Sequence, residues 1–181
     1  MASHGRILKA VILTADDFED LELFFPLYRL REAGIAVDVA GPAKGRIHGE
    51  HGYGIAVEKT FDDIDPDAYD LLILPGGSPQ GAPTTVRNHQ KAQTIAQAFA
   101  AANKPIAAIC HGPYTLISAG LVSGKRMTSF WGDGVPQELQ AAGARYEDAE
   151  VVVDGNFVTS RYPPDLPAFM REIMRLIKPI T

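Results

Sequence analysis

The segment Lys104-Pro105-Ile106-Ala107-Ala108-Ile109-Cys110-His111-Gly112-Pro113 constrains the fold of this chain more than any other. A short apolar run entered through a proline reads as a buried strand of a parallel sheet. Pro113 suits the first turn of a helix, because its missing N–H would have no partner there anyway. Cys110 therefore falls on a tight strand-to-helix turn, with Ala108 and Gly112 leaving room for the backbone to reverse. A thiol on such an elbow faces the unpaired N–H groups of the helix start, which are expected to lower its pKa and raise its thiolate fraction. The alternative for a lone cysteine is a buried, inert thiol, and the elbow position argues against it.

The rest of the chain supplies partners for that strand. Ile7 to Leu13 reads as a first strand, followed by Thr14-Ala15-Asp16-Asp17 and a helix from about Glu19 to Ala33, stopped by Gly34. Leu21, Phe24, Phe25, Tyr28 and Leu30 are its expected sheet-covering face, and Pro26 predicts a kink or break. Ile35 to Ala40 and Asp70 to Leu74 are further strands, the second ended by Pro75-Gly76-Gly77. Gly45 to Val57 suggests an irregular hairpin off the main sheet. Helices are expected over Asn88 to Ala102, Val135 to Ala142 and Pro164 to Ile177. Arg126 to Phe130 reads as a strand, and Val151 to Ser160 as a hairpin turning at Asp154-Gly155-Asn156. Such alternation predicts an α/β chain with an open, mostly parallel sheet covered on both faces. With 181 residues, 46% of them hydrophobic, a single domain over 1–181 is expected, with residues 1–5 a frayed terminus.

In sheets of this kind ligands bind where loops leave the carboxyl ends of the strands. The expectation is that the Asp16 to Glu19 turn, the Gly76-Gly77 turn and the Cys110-His111 elbow converge. A carboxylate beside a thiolate repels it, so one of the two must hold a proton, and burial favours the protonated acid. Glu19 is the favoured partner, donating to the thiolate; Asp16, Asp17 and Asp20 compete with it or merely cap the helix. His111 is placed to act as base or acid. The Gly76-Gly77 pair lets main-chain N–H groups approach a substrate oxygen and, with the N–H after Cys110, form an oxyanion hole.

Ala108-Ile109-Cys110-His111-Gly112-Pro113, Leu74-Pro75-Gly76-Gly77 and Thr14-Ala15-Asp16-Asp17-Phe18-Glu19-Asp20-Leu21-Glu22 together resemble the ThiJ/PfpI superfamily, most closely its PfpI-like branch. The similarity runs from about Ile7 to Ile177. It implies a flavodoxin-like three-layer sandwich with a nucleophile elbow, a homodimer or higher homo-oligomer, and no metal or organic cofactor. It also implies Cys110 as nucleophile, Glu19 as its protonated partner, and the N–H groups of Gly77 and His111 as oxyanion hole. Superfamily activities include cysteine peptidases, glutathione-independent conversion of methylglyoxal, removal of early glycation adducts, and stress or redox roles. In the PfpI-like branch a carboxylate shortly after the glycine pair orients the histidine of a neighbouring subunit. The matching stretch here, Ser78 to Thr85, contains none; Asp133 is a possible substitute whose position the sequence leaves open. Phe130 stands where a hydroxylated aromatic is common in that branch.

The leading expectation is thus a cytoplasmic, cysteine-dependent glyoxalase or deglycase acting on small reactive carbonyls or their adducts. A peptidase or amidase acting on peptides is the alternative, and a non-enzymatic stress sensor or holdase, in which Cys110 is oxidised to a sulfinate, a third. A net charge of −5 with no basic cluster excludes a nucleic-acid footprint, and no apolar stretch reads as a leader or membrane span. One cysteine rules out an internal disulfide and fits a reducing compartment. His48-Gly49-Glu50-His51 reads as surface rather than as a metal site.

Overall fold

The computed structural model describes residues 6–177, so the expectation of a frayed terminus over residues 1–5 lies outside the described residues. In chain order the elements are β1 (Lys9–Leu13), α1 (Asp20–Glu32), β2 (Ala36–Gly41), β3 (Gly45–His48), β4 (Gly54–Val57), β5 (Lys59–Thr60) and β6 (Leu71–Leu74). There follow α2 (Ala82–Arg87), α3 (Gln90–Ala101), β7 (Ile106–Ile109), α4 (Pro113–Ser118), β8 (Arg126–Met127), α5 (Val135–Ala141), β9 (Arg145–Tyr146), β10 (Val151–Asp154), β11 (Phe157–Ser160) and α6 (Leu166–Leu176). The main sheet has the order β10-β11-β7-β6-β1-β2-β5 and is parallel except for β10, which forms a hairpin with β11.

The strands with uninterrupted apolar sequences sit at the centre. Leu71–Leu74 and Ile106–Ile109 are buried throughout, because helices cover both faces and every side chain, up or down, needs an apolar neighbour. Ile106 and Ala108 point into the core beneath α2 to α5, whereas Ala107 and Ile109 point into the core beneath α1 and α6. The result is a flavodoxin-like three-layer sandwich. Its strand order reverses between β1 and β6, and the loops after β1, β6 and β7 leave the same edge side by side.

Several elements differ from expectation for local reasons. Helix α1 runs through Pro26 without interruption, the ring being buried. Its inward stripe is Glu22, Leu23, Pro26, Leu27 and Leu30, while Leu21, Phe25 and Tyr28 are exposed. The segment after β6, for which no helix was expected, winds into α2, with Pro83 near its first turn. The strand expected over Arg126 to Phe130 stops at Met127, because the chain then turns to lay Phe130 over the elbow. The β3–β4 hairpin stands apart from the main sheet, as expected. No helix among the described residues is long and apolar enough to cross a membrane.

Candidate active site

Cys110 is the first residue after β7, and its φ of +63° is one that side-chain-bearing residues rarely adopt. Holding it there costs about 1–3 kcal/mol. The surroundings over-determine the turn: its N–H donates to Ser160 O at 3.1 Å, and its carbonyl accepts from Phe130 N–H at 3.0 Å. Gly112 is obligatory, since a Cβ there would lie 2.1 Å from the Leu74 carbonyl oxygen. The turn is thus wedged against the end of β6 and directs the thiol into a cavity of about 270 Å³.

The carboxyl beside that thiol belongs to Glu22, one helical turn beyond Glu19. Glu22 is fully buried, its Oε2 accepts from Gly76 N–H at 2.7 Å, and its Oε1 has no partner among the described residues. Gly76 makes the approach possible, because a Cβ on it would meet both Cys110 Cβ and Glu22 Oε2 at 2.6 Å. Burial pushes the Glu22 carboxyl well above its ordinary value, against the opposing Gly76 N–H, so it is the neutral acid of the pair. Glu19 instead caps α1: Oε1 accepts from Leu21 N–H at 3.2 Å and Oε2 lies 3.2 Å from His51 Nε2. It lines the cavity at its mouth. The structure therefore moves the thiol's acid partner from Glu19 to Glu22. A signal for this was present in the sequence: Glu22, Pro26 and Leu30 share one helical stripe, and an acid on a buried stripe is a functional candidate. Two of the competing aspartates, Asp16 and Asp20, hold backbone. Asp16 accepts from His48 N–H at 2.9 Å, and Asp20 accepts from His51 and Tyr53 N–H at 2.9 and 3.0 Å, which pins the 48–53 loop to the start of α1.

His111 Nδ1 lies 3.2 Å from Cys110 Sγ, and its Nε2 lies 2.9 Å from Asp133 Oδ2. With Nε2–H donating to the carboxylate, Nδ1 is left as the acceptor facing the thiol. Asp133 thus occupies the orienting position that Ser78 to Thr85 leaves without an acid, and it does so from the same chain. It reaches there because Gly132-Asp133-Gly134 is a tight turn with φ of +54° at Asp133 and +76° at Gly134. The Tyr114 hydroxyl donates to the Asp133 carbonyl at 3.4 Å, and Phe130 packs on the imidazole at 5.1 Å between centroids.

Gly77 and His111 both border the cavity, and among the described residues neither N–H donates to a backbone carbonyl. Phe130 and Tyr162 line the cavity, and Trp131 packs on both from behind in tilted and edge contacts of 4.8 Å. Glu19, Glu50 and His51 bring ligand atoms within 4.8 Å of one another at the mouth; His48 is not part of this group.

The thiol differs from expectation in its electrostatics. Desolvation, followed by the adjacent Glu22 carboxyl, pushes Cys110 well above its ordinary pKa, and the His111 N–H opposes them without prevailing. Helix α4 has only six residues, and its start does not offset burial. Burial also lowers the His111 pKa, with Asp133 working against it. Burial thus favours the neutral form of all three groups, the thiol, the imidazole and Glu22. Sγ and Nδ1 lie within reach of a proton transfer, and the Nε2 side of the ring faces the Asp133 carboxylate.

The profile of the DJ-1/PfpI family matches residues 8–176. Deglycase PH1704 of Pyrococcus horikoshii is 47% identical over 171 residues, covering 94% of this chain and 100% of that protein. The putative cysteine protease YraA of Bacillus subtilis is 40% identical over 171 residues, covering 94% of this chain and 98% of that protein. Among solved structures, a two-domain protein of Anabaena variabilis with DJ-1/ThiJ/PfpI-like and ferritin-like domains superposes with a TM-score of 0.88 at 33% identity. The match covers 93% of this chain and 47% of that one.

Proposed function

The chain belongs to the DJ-1/PfpI family, and from that premise we propose that it is a cysteine-dependent enzyme of glyoxalase or deglycase type, acting on small reactive carbonyls or their early adducts. The observation that carries this reading is the neutral Glu22 acid packed beside the Cys110 thiol at the base of a small cavity. The deglycase name of a relative 47% identical supports it.

The chemistry follows from the geometry. The thiolate adds to the aldehyde carbon of an α-oxoaldehyde, the carbonyl π pair moves to oxygen, and the resulting alkoxide takes a proton to give a hemithioacetal. The Gly77 and His111 N–H groups stabilise the developing oxyanion. Removal of the C1 hydrogen as a proton and its return at C2 gives a thioester of the 2-hydroxy acid. Water cleaves that ester and restores the thiol, so methylglyoxal plus water becomes lactate with no external redox partner. His111 and Glu22 are the groups within reach for these transfers. Purified protein is expected to consume methylglyoxal without glutathione, and Cys110→Ala to be inactive; equal turnover by the two overturns the proposal.

A peptidase or amidase is the second reading, and the His111–Asp133 contact favours it, because an oriented imidazole is what acyl transfer to a thiolate requires. The name of YraA supports it. It requires peptide-amide cleavage that depends on Cys110, His111 and Asp133 together. We further infer a homo-oligomer, supported by the aromatic face of Phe24, Tyr28 and Tyr53, whose two tyrosines are 60% and 69% exposed. A cytoplasmic location fits the one free cysteine.

A further inference from the structure

Asp133 orients His111 only if its own turn is held, and that turn has little packing of its own. The Asp133 side chain is 48% exposed. Its backbone sits at a φ of +54°, and the glycines on either side bring no side chains to wedge the turn. On one side it borders the catalytic cavity, and on the other a second cavity of about 430 Å³ that Pro79, Gln80, Thr84, Arg87 and Tyr114 also line. A carboxylate between two open spaces keeps its direction only when its backbone is anchored from outside.

The anchor is built on Arg87, the last residue of α2. Its Nε donates to Ser118 Oγ at 3.0 Å, and Nη1 and Nη2 fork onto the two carboxylate oxygens of Glu138 at 3.1 and 2.5 Å. One side chain, 18% exposed, therefore ties α2 to both α4 and α5. Such a fork fixes direction as well as distance, which the point charge of a lysine does not. The guanidinium carbon lies 4.3 Å from the centroid of the Tyr114 ring, and the same ring meets the His111 imidazole in an edge contact of 5.6 Å. The Tyr114 hydroxyl donates to the Asp133 carbonyl at 3.4 Å. Helix α5, gripped through Glu138, starts at Val135, directly after the Gly132-Asp133-Gly134 turn. The backbone of the acid is thus held from two directions, and Arg87 sets both.

We propose that Arg87 and Tyr114 are positioning residues for the site's imidazole. The Arg87–Glu138 fork sets Tyr114 and the start of α5, these set the Asp133 turn, and Asp133 sets the orientation of His111. This rests on His111 moving protons in the chemistry proposed above. Arg87, Tyr114 and Glu138 do not line the catalytic cavity, so their effect reaches the thiol through Asp133 and the imidazole. The other titratable groups about His111 are Cys110 at its Nδ1 and Glu19, Glu22 and Glu50 in the cavity wall, and none of them is hydrogen-bonded to this relay among the described residues.

The test separates positioning from mere stability. Tyr114→Phe keeps the ring and removes the hydroxyl, and Arg87→Lys keeps the charge and removes the fork; each is made in the native chain and in Asp133→Asn. The readouts are the His111 titration and tautomer, from NMR of the ring nitrogens and protons, and kcat and KM for methylglyoxal. Because Asp133 raises the His111 pKa against burial, loosening the acid is expected to move the titration to lower pH and to mix the two tautomers. In the native chain kcat is expected to fall about fivefold for Tyr114→Phe, the scale of one neutral hydrogen bond, and about tenfold for Arg87→Lys, with KM nearly unchanged. In the Asp133→Asn chain neither substitution is expected to change kcat or the titration further. An unchanged titration and tautomer in both variants, or losses that multiply with that of Asp133→Asn, overturns the inference. Should Arg87→Lys fail to fold, Tyr114→Phe decides by the same readouts. Should native protein leave methylglyoxal untouched, the His111 shifts still decide: their presence retains the positioning relay and overturns the proposed chemistry, and their absence overturns the relay.

Discussion

Asp133 Oδ2 lies 2.9 Å from Nε2 of His111, so the imidazole beside the only cysteine is oriented by an acid of its own chain. The turn that delivers Asp133 belongs to the loop between β8 and α5, pinned to the elbow by the hydrogen bond from Phe130 N–H to Cys110 O. The carboxylate and the thiol are therefore coupled through one imidazole and one stretch of backbone.

Asp133→Asn is expected to lower turnover about 10²-fold, the scale of a positioned acid–base group. Because Asp133 raises the His111 pKa against burial, the variant's imidazole should titrate at still lower pH, read by NMR of the ring protons. An unchanged titration with unchanged rate would remove Asp133 from the site.

Glu22→Gln is expected to reduce methylglyoxal turnover about 10²-fold or more, and Glu19→Gln less than tenfold, because only Glu22 packs against the thiol. Steady-state kinetics of the two variants decide between them. The reverse ranking would return the acid role to Glu19.

Stability should depend on pH through the same group. The folded protein retains a proton on Glu22 that the unfolded chain releases above the ordinary value of 4.5, so this contribution is complete below 4.5 and is lost as pH rises toward the folded pKa. Buried His111 acts in the opposite sense: its contribution is complete above 6.5 and lost as pH falls through its lowered pKa. The two slopes are opposite in sign. Because His111 is common to both proteins, Glu22→Gln should gain on the native protein as pH rises above 4.5, by up to about 1.4 kcal/mol per pH unit, measured as urea midpoints at pH 5 to 8. A difference independent of pH would contradict a neutral Glu22.

At the elbow, Cys110→Gly should be more stable than Cys110→Ala by about 1 kcal/mol, the reverse of the usual order, because only glycine accepts the +63° φ without strain. Gly112→Ala should be far worse, about 3 kcal/mol or more and roughly 6–12 °C in Tm, since its Cβ would fall 2.1 Å from Leu74 O. Thermal unfolding of the three variants checks both statements.

Tyr53→Glu is expected to shift the protein to a smaller species in sedimentation velocity at micromolar concentration, because it places a charge in the Phe24–Tyr28–Tyr53 aromatic face. A native protein that sediments as a monomer would overturn the oligomer proposal.

The sequence by itself determined the layers and the elbow. Buried strands such as Leu71–Leu74 and Ile106–Ile109 are legible because a parallel sheet covered on both faces demands continuous apolar runs, and Cys110 is legible because strand, cysteine, glycine and proline follow one another directly. The face of α1 was harder to read, as Leu21, Phe25 and Tyr28 are apolar yet exposed, which hid Glu22 on the stripe that faces inward. Only the tertiary structure decided the thiol's surroundings. Glu22 and Asp133 come from opposite sides of Cys110, 88 and 23 residues away in sequence, and their distances to it depend on how helix α1 and the 130–134 turn pack on the sheet edge. The thiol's elevated pKa was equally invisible, because desolvation is a property of the packed cavity and outweighs the local helix start that sequence alone displays.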